Sequence, residues 1–112
     1  MTNTPPPFPA GRPPHFRATV HGTVFAGRDK HLQSLETGEA LYLIPDPPDQ
    51  EEPEVWVHRV GGDLLGHLPS EISAWLPPWL LDGGGADARA VKIHGSDVPS
   101  WRRLLLEVQC LV

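Results

Sequence analysis

Alternating small or apolar and polar residues predict short β-strands along most of the chain. From Phe16 to Val24 the small and apolar residues occupy every second position, and the same alternation runs from Leu104 to Val112. A period of two places one face of a strand on a core and the other in solvent. The patterns predict six strands, at residues 16–24, 40–44, 55–60, 64–68, 88–94 and 102–112.

A helical pattern follows the fourth predicted strand. Ser70 is the predicted N-cap residue, because its hydroxyl can accept a hydrogen bond from the first helical turn. Pro77 and Pro78 lack an N–H donor and clash with the preceding turn, so the predicted helix does not run unbroken through Trp79. The apolar residues recur at the spacing of one helical face: Ile72, Trp75, Leu76, Trp79 and Leu80.

Six short strands with one or two short helices predict a mainly β fold, a small OB- or SH3-like partly closed barrel. Closure removes strand edges that would otherwise pair with other chains. The predicted domain covers residues 15–112. Residues 1–14 contain six prolines and almost nothing to bury, which predicts a disordered Pro-rich tail.

The charge of the chain limits its partners. Nine Lys and Arg against 14 Asp and Glu give a formal net charge of −5. Nonspecific nucleic-acid binders usually carry a basic stripe, because phosphate contacts supply most of their affinity. Any nucleic-acid contact here must therefore come from a local patch. This disfavours a strong duplex binder but permits a weak or end-specific one.

The sequence contains no membrane or disulfide signal. No apolar run approaches the ~20 residues that span a bilayer, and the N-terminus lacks the apolar stretch of a signal peptide. Cys110 is the only cysteine, so it cannot form an internal disulfide or a cysteine-based zinc finger. We expect a cytoplasmic protein with no membrane partner.

No pattern in the chain predicts catalysis. The six histidines show no metal-ligand spacing, no serine stands in a GxSxG context, and no phosphate loop is present. The carboxylates of residues 46–54 lie in a Pro-rich loop, which predicts solvated charge rather than acid–base work. We therefore expect no enzyme, no metal and no cofactor.

Two aromatic residues are candidates for binding. Phe25 and Trp56 fall on the faces opposite the core residues of their predicted strands. An outward aromatic can stack on a nucleotide base, or it can pack under the helix or a neighbouring loop. The basic residues that could contact phosphates are Arg17, Arg28, Lys30, Arg59, Arg89, Lys92, Arg102 and Arg103.

Three segments, in this order, resemble the HIRAN domain family over Val20 to Val112. They are VHGTVFAGR, GEALYLIPDPP and VWVHRVGGDLLGHLPSEIS, of which the GHLPSEIS part is the most specific. The resemblance implies a modified OB- or SH3-like barrel. The module occurs in chromatin-remodeller-like helicases and as stand-alone bacterial proteins. In the helicase members it looks like a clamp for the 3′ end of single-stranded DNA, and the resemblance implies a similar role here.

The resemblance also implies a set of site residues. Val24 and Phe25 match the positions after the first strand's glycine, where the family places a base-stacking aromatic. His67 matches the residue after the hairpin glycine, and Asp46 matches the start of the family's Asp-Asn-Pro loop. Ser70 stands where some members have a Lys. Arg28, which closes the first segment, is a candidate phosphate contact.

The chain departs from the family at Val24, where a basic residue often stands beside the stacking aromatic, at Ser70, and in the acidic loop. The family's Asn-Pro-Tyr-Asp-x-Asn run is replaced by PPDQEEPE, which has neither Tyr nor Asn. Two hypotheses follow. The first is a nucleic-acid-binding module for single-stranded DNA or 3′ ends in DNA repair, beside a separately encoded helicase or nuclease. The second is a protein-interaction module that has kept the barrel and lost the DNA groove.

Overall fold

The computed structural model describes residues 7–112, and within them the fold is mainly β. Six antiparallel strands form one curled sheet, a half-barrel, which confirms the predicted partly closed barrel. No helix among these residues is long and apolar enough to cross a membrane. The elements are β1 His15–Thr19, α1 Arg28–Gln33, β2 Ala40–Pro45, β3 Val55–Arg59, β4 Leu64–His67, α2 Ser70–Ser73, α3 Leu76–Leu81, β5 Gly85–Ile93 and β6 Leu104–Leu111.

The strand order explains how the sheet curls. The order is β1-β6-β5-β2-β3-β4, so β1 and β4 are the two edges. Just beyond β1, His21 forms a bridge with His67 of β4 through two backbone hydrogen bonds, N to O, of 2.8 and 3.0 Å. We call this bridge the seam. It joins the two edges of the sheet at one point and brings residues 20–28 beside β4.

The predicted apolar face of the last strand forms the centre of the core. Leu104, Leu106, Val108 and Cys110 alternate along β6 and are completely buried. The prediction extended this face to Val112, which is wrong: that residue follows the end of β6 and is 70% exposed. Facing residues from other elements complete the core: Val20, Val55, Val57, Leu65, Leu76 and Trp79.

The helical region is interrupted, as predicted, but its details differ. Helix α2 ends at Ser73, and Trp75 leaves the helical region with φ −131° before α3 begins. Pro77 and Pro78 lie in the first turn of α3, where a missing N–H donor costs nothing. The predicted N-cap is wrong, because Pro69 occupies that position and Ser70 is the first helical residue.

The structure differs from the prediction in one strand and in one loop. The first strand was predicted to reach Val24, but β1 ends at Thr19 and the chain turns at Gly22. Residues 82–85 were predicted to be a flexible loop. Instead, Gly84 donates its N–H to the Trp79 carbonyl at 2.8 Å, and Gly85 begins β5. The Trp79 indole Nε1 donates to the Gly85 carbonyl at 3.3 Å, so this turn is fastened to α3.

Part of the predicted tail contacts the domain. Residues 1–6 lie outside the described residues, and the predicted disorder of residues 1–14 stays a prediction. Phe8, however, meets Trp75 and Trp79 edge-on, with ring centroids 5.5 and 5.1 Å away. The Pro14 carbonyl also accepts a hydrogen bond of 2.7 Å from the Cys110 N–H. Phe8 was predicted to belong to a tail with almost nothing to bury, but it is partly buried against the core.

Candidate functional site

The turn after β1 is built around Gly22, which has a left-handed φ of 72°. A Cβ at this position would lie 3.2 Å from Arg28 Nη1 and 3.2 Å from His67 Cδ2. Both the backbone conformation and the crowding therefore favour glycine. The result is that the loop of residues 20–28 folds back on β4, with the Arg28 and His67 side chains both close to the Cα of one glycine.

Arg28 is held in this turn. Its Nη1 donates to the Gly22 carbonyl at 2.9 Å, and its guanidinium lies 5.6 Å from the centre of the Trp56 ring. Its Nε atom is buried and has no hydrogen-bond partner among the described residues. The positive charge of the guanidinium is stabilised by the cation–π contact with Trp56 and by the hydrogen bond to the Gly22 carbonyl. Arg28 thus supports the loop, and only part of its guanidinium remains for a ligand.

Asp46 positions Trp56 and ties the two ends of the acidic loop. Its Oδ1 accepts a hydrogen bond of 2.7 Å from the Trp56 indole, and its Oδ2 accepts one of 2.9 Å from the Glu54 N–H. Its own N–H donates to the Glu54 carbonyl at 2.9 Å. The prediction of solvated charge therefore fails for Asp46, whereas residues 47–52 are exposed and the Glu54 side chain is 37% exposed.

His67 lies at the centre of the site. Its Nδ1 is 3.1 Å from the Leu68 carbonyl and 3.3 Å from Glu54 Oε2, and its ring meets Trp56 edge-on at 5.5 Å. Both neighbours of Nδ1 are acceptors, so Nδ1 carries the proton in the neutral ring. Nε2 is then an acceptor, on the side of the ring that faces Gly22.

Phe25 and Val24 protrude from the same loop. Phe25 is 65% exposed and Val24 is 44% exposed. The next residue, Ala26, has a left-handed φ of 53°, which a residue with a Cβ adopts only at some cost. Thr23 is buried and anchors the loop by donating to the Ser100 carbonyl at 3.0 Å. Of the two alternatives left open by the sequence, the structure shows Phe25 exposed and Trp56 half-buried.

Ser70 and His67 share a shallow cleft of about 450 Å³. The other walls of this cleft come from segments far apart in the chain, so no local pattern predicted that they would meet. One wall is the exposed Trp101, which follows Ser100, the residue whose carbonyl accepts the hydrogen bond from Thr23. The Arg102 guanidinium lies 5.9 Å from the centre of the Trp101 ring. The remaining walls include Thr19, His21, Glu54 and Glu71.

The structure does not gather the basic residues into a stripe. Arg17 and Arg89 lie opposite Glu107, and Arg59 donates to Glu39 through Nε at 2.9 Å. The remaining cations nearest the site are Arg28 and Arg102. No group of three His, Cys, Asp or Glu residues in the described part of the chain could hold a metal ion.

Comparison with known protein families, with curated proteins and with solved structures finds no match for this chain. The resemblance to HIRAN domains therefore rests on the three sequence segments alone and stays a hypothesis.

Proposed function

We propose that this chain is a nucleic-acid-binding module that holds the 3′ end of a single strand. The terminal base stacks on Phe25, and the terminal sugar lies beside His67. The observation that supports the proposal best is the loop of residues 20–28. It exposes Phe25 while its Gly22 contacts the side chains of both Arg28 and His67. The proposed setting is DNA repair, beside a separately encoded helicase or nuclease.

The arrangement around His67 favours a hydroxyl end over a phosphorylated end. Since Nδ1 faces a carbonyl and a carboxylate, Nε2 is the acceptor that a 3′-hydroxyl can donate to. Glu54 and Glu71 line the same cleft and would repel a terminal phosphate. A strand that ends in a free hydroxyl is thus the better ligand.

The affinity follows from the few cations near the site. Arg17, Arg59 and Arg89 already face carboxylates, and the net charge is −5. We expect dissociation constants on the order of 10⁻⁴–10⁻⁶ M, with a shallow salt dependence. Base stacking on one aromatic contributes about 1–3 kcal/mol, so Phe25 would supply a measurable part of this affinity.

The test is a fluorescence titration with short single strands at low salt. Phe25→Ala should weaken binding by about 1–3 kcal/mol, and a 3′-phosphate should weaken it further. Tyr42→Ala is the matched control, because Tyr42 is an exposed aromatic on β2 and not on the loop. Absence of binding at high micromolar protein would contradict the proposal. An affinity that is the same for both end groups and is unchanged by Phe25→Ala would contradict the proposal as well.

The second candidate is a protein-interaction module that uses the same barrel. The observation that favours it is the acidic loop, whose residues 47–52 are exposed and bear Asp49, Glu51 and Glu52. If the titration shows no end-dependent binding, this candidate replaces the first.

A further inference from the structure

A groove of about 440 Å³ lies between the acidic loop and the start of the helical region. One wall consists of Glu51, Glu52 and Glu54, and the other includes Ser73 of α2. Pro53 and Ala74 give it apolar surface. The Asp46 carboxylate holds the backbone of Glu54, so the acidic wall is fastened to the sheet where the loop ends.

The acidic wall has little compensating charge. Glu51 and Glu52 are exposed and form no ion pair among residues 7–112, and Glu54 faces only His67. Carboxylates gathered on one wall of a groove attract a cation more strongly than the same charges spread over a surface. The described residues offer no arrangement of three ligands for a metal ion, so an organic cation is the chemically suitable ligand.

Ser73 gives an independent sign of a missing ligand. It lines the groove, is only 8% exposed, and its hydroxyl is buried without a hydrogen-bond partner among the described residues. Buried polar groups without a partner are rare because the unpaired group has lost its contact with water. Because the Ser73 hydroxyl is buried, rotation about the Cα–Cβ bond has to turn it into the groove before an N–H group that enters the groove can donate to its oxygen.

We propose that this groove binds an arginine side chain of a protein partner. A guanidinium has five donors in a plane, enough to reach two carboxylates and a hydroxyl together. Its aliphatic stem would pack on Pro53 and Ala74, as long cationic side chains do on apolar surface. The negative net charge of the domain also attracts basic segments.

This site deepens the second candidate function and does not depend on DNA binding. It adjoins the His67 cleft, because Glu54 and Ser70 line both. Oligonucleotide titration tests the cleft and peptide titration tests the groove, so failure of one proposal is distinguishable from failure of the other.

Binding of a fluorescent Arg-Gly peptide with blocked ends is measured by its fluorescence anisotropy at low salt. The binding site is located from amide shifts in NMR spectra of the labelled protein. Glu51→Gln with Glu52→Gln should weaken binding about tenfold, since each exposed carboxylate contributes about two- to fivefold. Ser73→Ala should weaken it about tenfold by removing an acceptor for a charged donor. Amide shifts should centre on residues 51–54 and 70–74.

The matched control is Glu36→Gln with Asp87→Asn, which changes the net charge equally at exposed positions that do not line the groove. Peptide binding should survive in this control. An equal loss in both double variants would overturn the proposal, because net charge alone would then explain the attraction. Absence of peptide binding, shifts centred elsewhere, or full affinity in Ser73→Ala would also overturn it. A far-ultraviolet spectrum like that of the wild type shows that each variant is folded.

Discussion

Replacing Gly66 with alanine tests whether the barrel is closed at the seam. Gly66 lies in β4 opposite Val57, and its other side faces the segment that follows β1. A Cβ at this position would lie 2.7 Å from Val20 Cγ1 and closer still to the His21 carbonyl oxygen. The His21 carbonyl cannot withdraw freely, because it accepts the hydrogen bond from the His67 N–H. Gly66→Ala must therefore push the two edges apart.

The expected cost combines two contributions. Loss of the two hydrogen bonds between His21 and His67 costs about 0.5–1.5 kcal/mol each. Crowding of the completely buried Val20 adds about 1–3 kcal/mol, as for other overpacked core positions. The free energy of unfolding should fall by about 2–6 kcal/mol, a large share of the 5–15 kcal/mol typical of a native protein. The same variant should weaken oligonucleotide binding, because His67 moves with the seam.

Urea unfolding followed by tryptophan fluorescence measures this loss. Gly95→Ala is the control, since its Cβ would make only an ordinary contact of 3.4 Å with Asp97 Oδ1. The control should stay within about 0.5 kcal/mol of the wild type. If Gly66→Ala is as stable as Gly95→Ala, the edges do not meet at His21 and His67, and the closure described above is refuted.

Two further predictions concern packing and charge. Phe8→Ala should lower the free energy of unfolding by about 1–3 kcal/mol, because each edge-on aromatic pair contributes about 0.5–1.5 kcal/mol. Equal stability in urea would show that Phe8 does not pack on the domain. The hydrogen bond from Arg59 lowers the pKa of Glu39 below its ordinary value of 4.5. Its stabilising contribution is therefore complete above that value and lost as pH falls through the lowered pKa. Urea unfolding measured at a series of acidic pH values tests this. The free energy of unfolding should fall less over this pH range in Glu39→Gln than in the wild type.

The sequence predicts the sheet well because burial in β6 follows a strict period of two. Leu104, Leu106 and Val108 are buried at alternate positions, and no competing pattern is present. The same reasoning fails after Thr19, where Val20 and Val24 continue the alternation although the strand has ended. The turn there is set by the approach of Arg28 and His67 to Gly22, and periodicity cannot show a tertiary contact.

The site is predictable only in part for the same reason. Phe25 lies opposite the predicted core face and is exposed, but the period of two does not explain its exposure, because Val24 on the predicted core face is exposed and Thr23 on the predicted polar face is buried. The roles of Asp46 and Glu54 depend on hydrogen bonds that close the acidic loop. A sequence that shows only a Pro-rich acidic segment indicates solvated charge. Trp101 and His67 line one cleft because the barrel closes, and a local sequence pattern cannot predict that contact.

Glu54 decides how the two proposed ligands compete, because its carboxylate lines both the His67 cleft and the acidic groove. A terminal phosphate beside His67 would be repelled by this carboxylate, whereas an arginine in the groove would be attracted by it. Glu54→Gln removes the charge and keeps an oxygen that can accept from His67 Nδ1. The variant should bind a 3′-phosphorylated strand more tightly, bind a 3′-hydroxyl strand about equally, and bind the Arg-Gly peptide about two- to fivefold more weakly. Parallel titrations with the three ligands measure these changes. Changes of the same sign for the phosphorylated strand and the peptide would show that the variant alters the fold of the loop and not its charge.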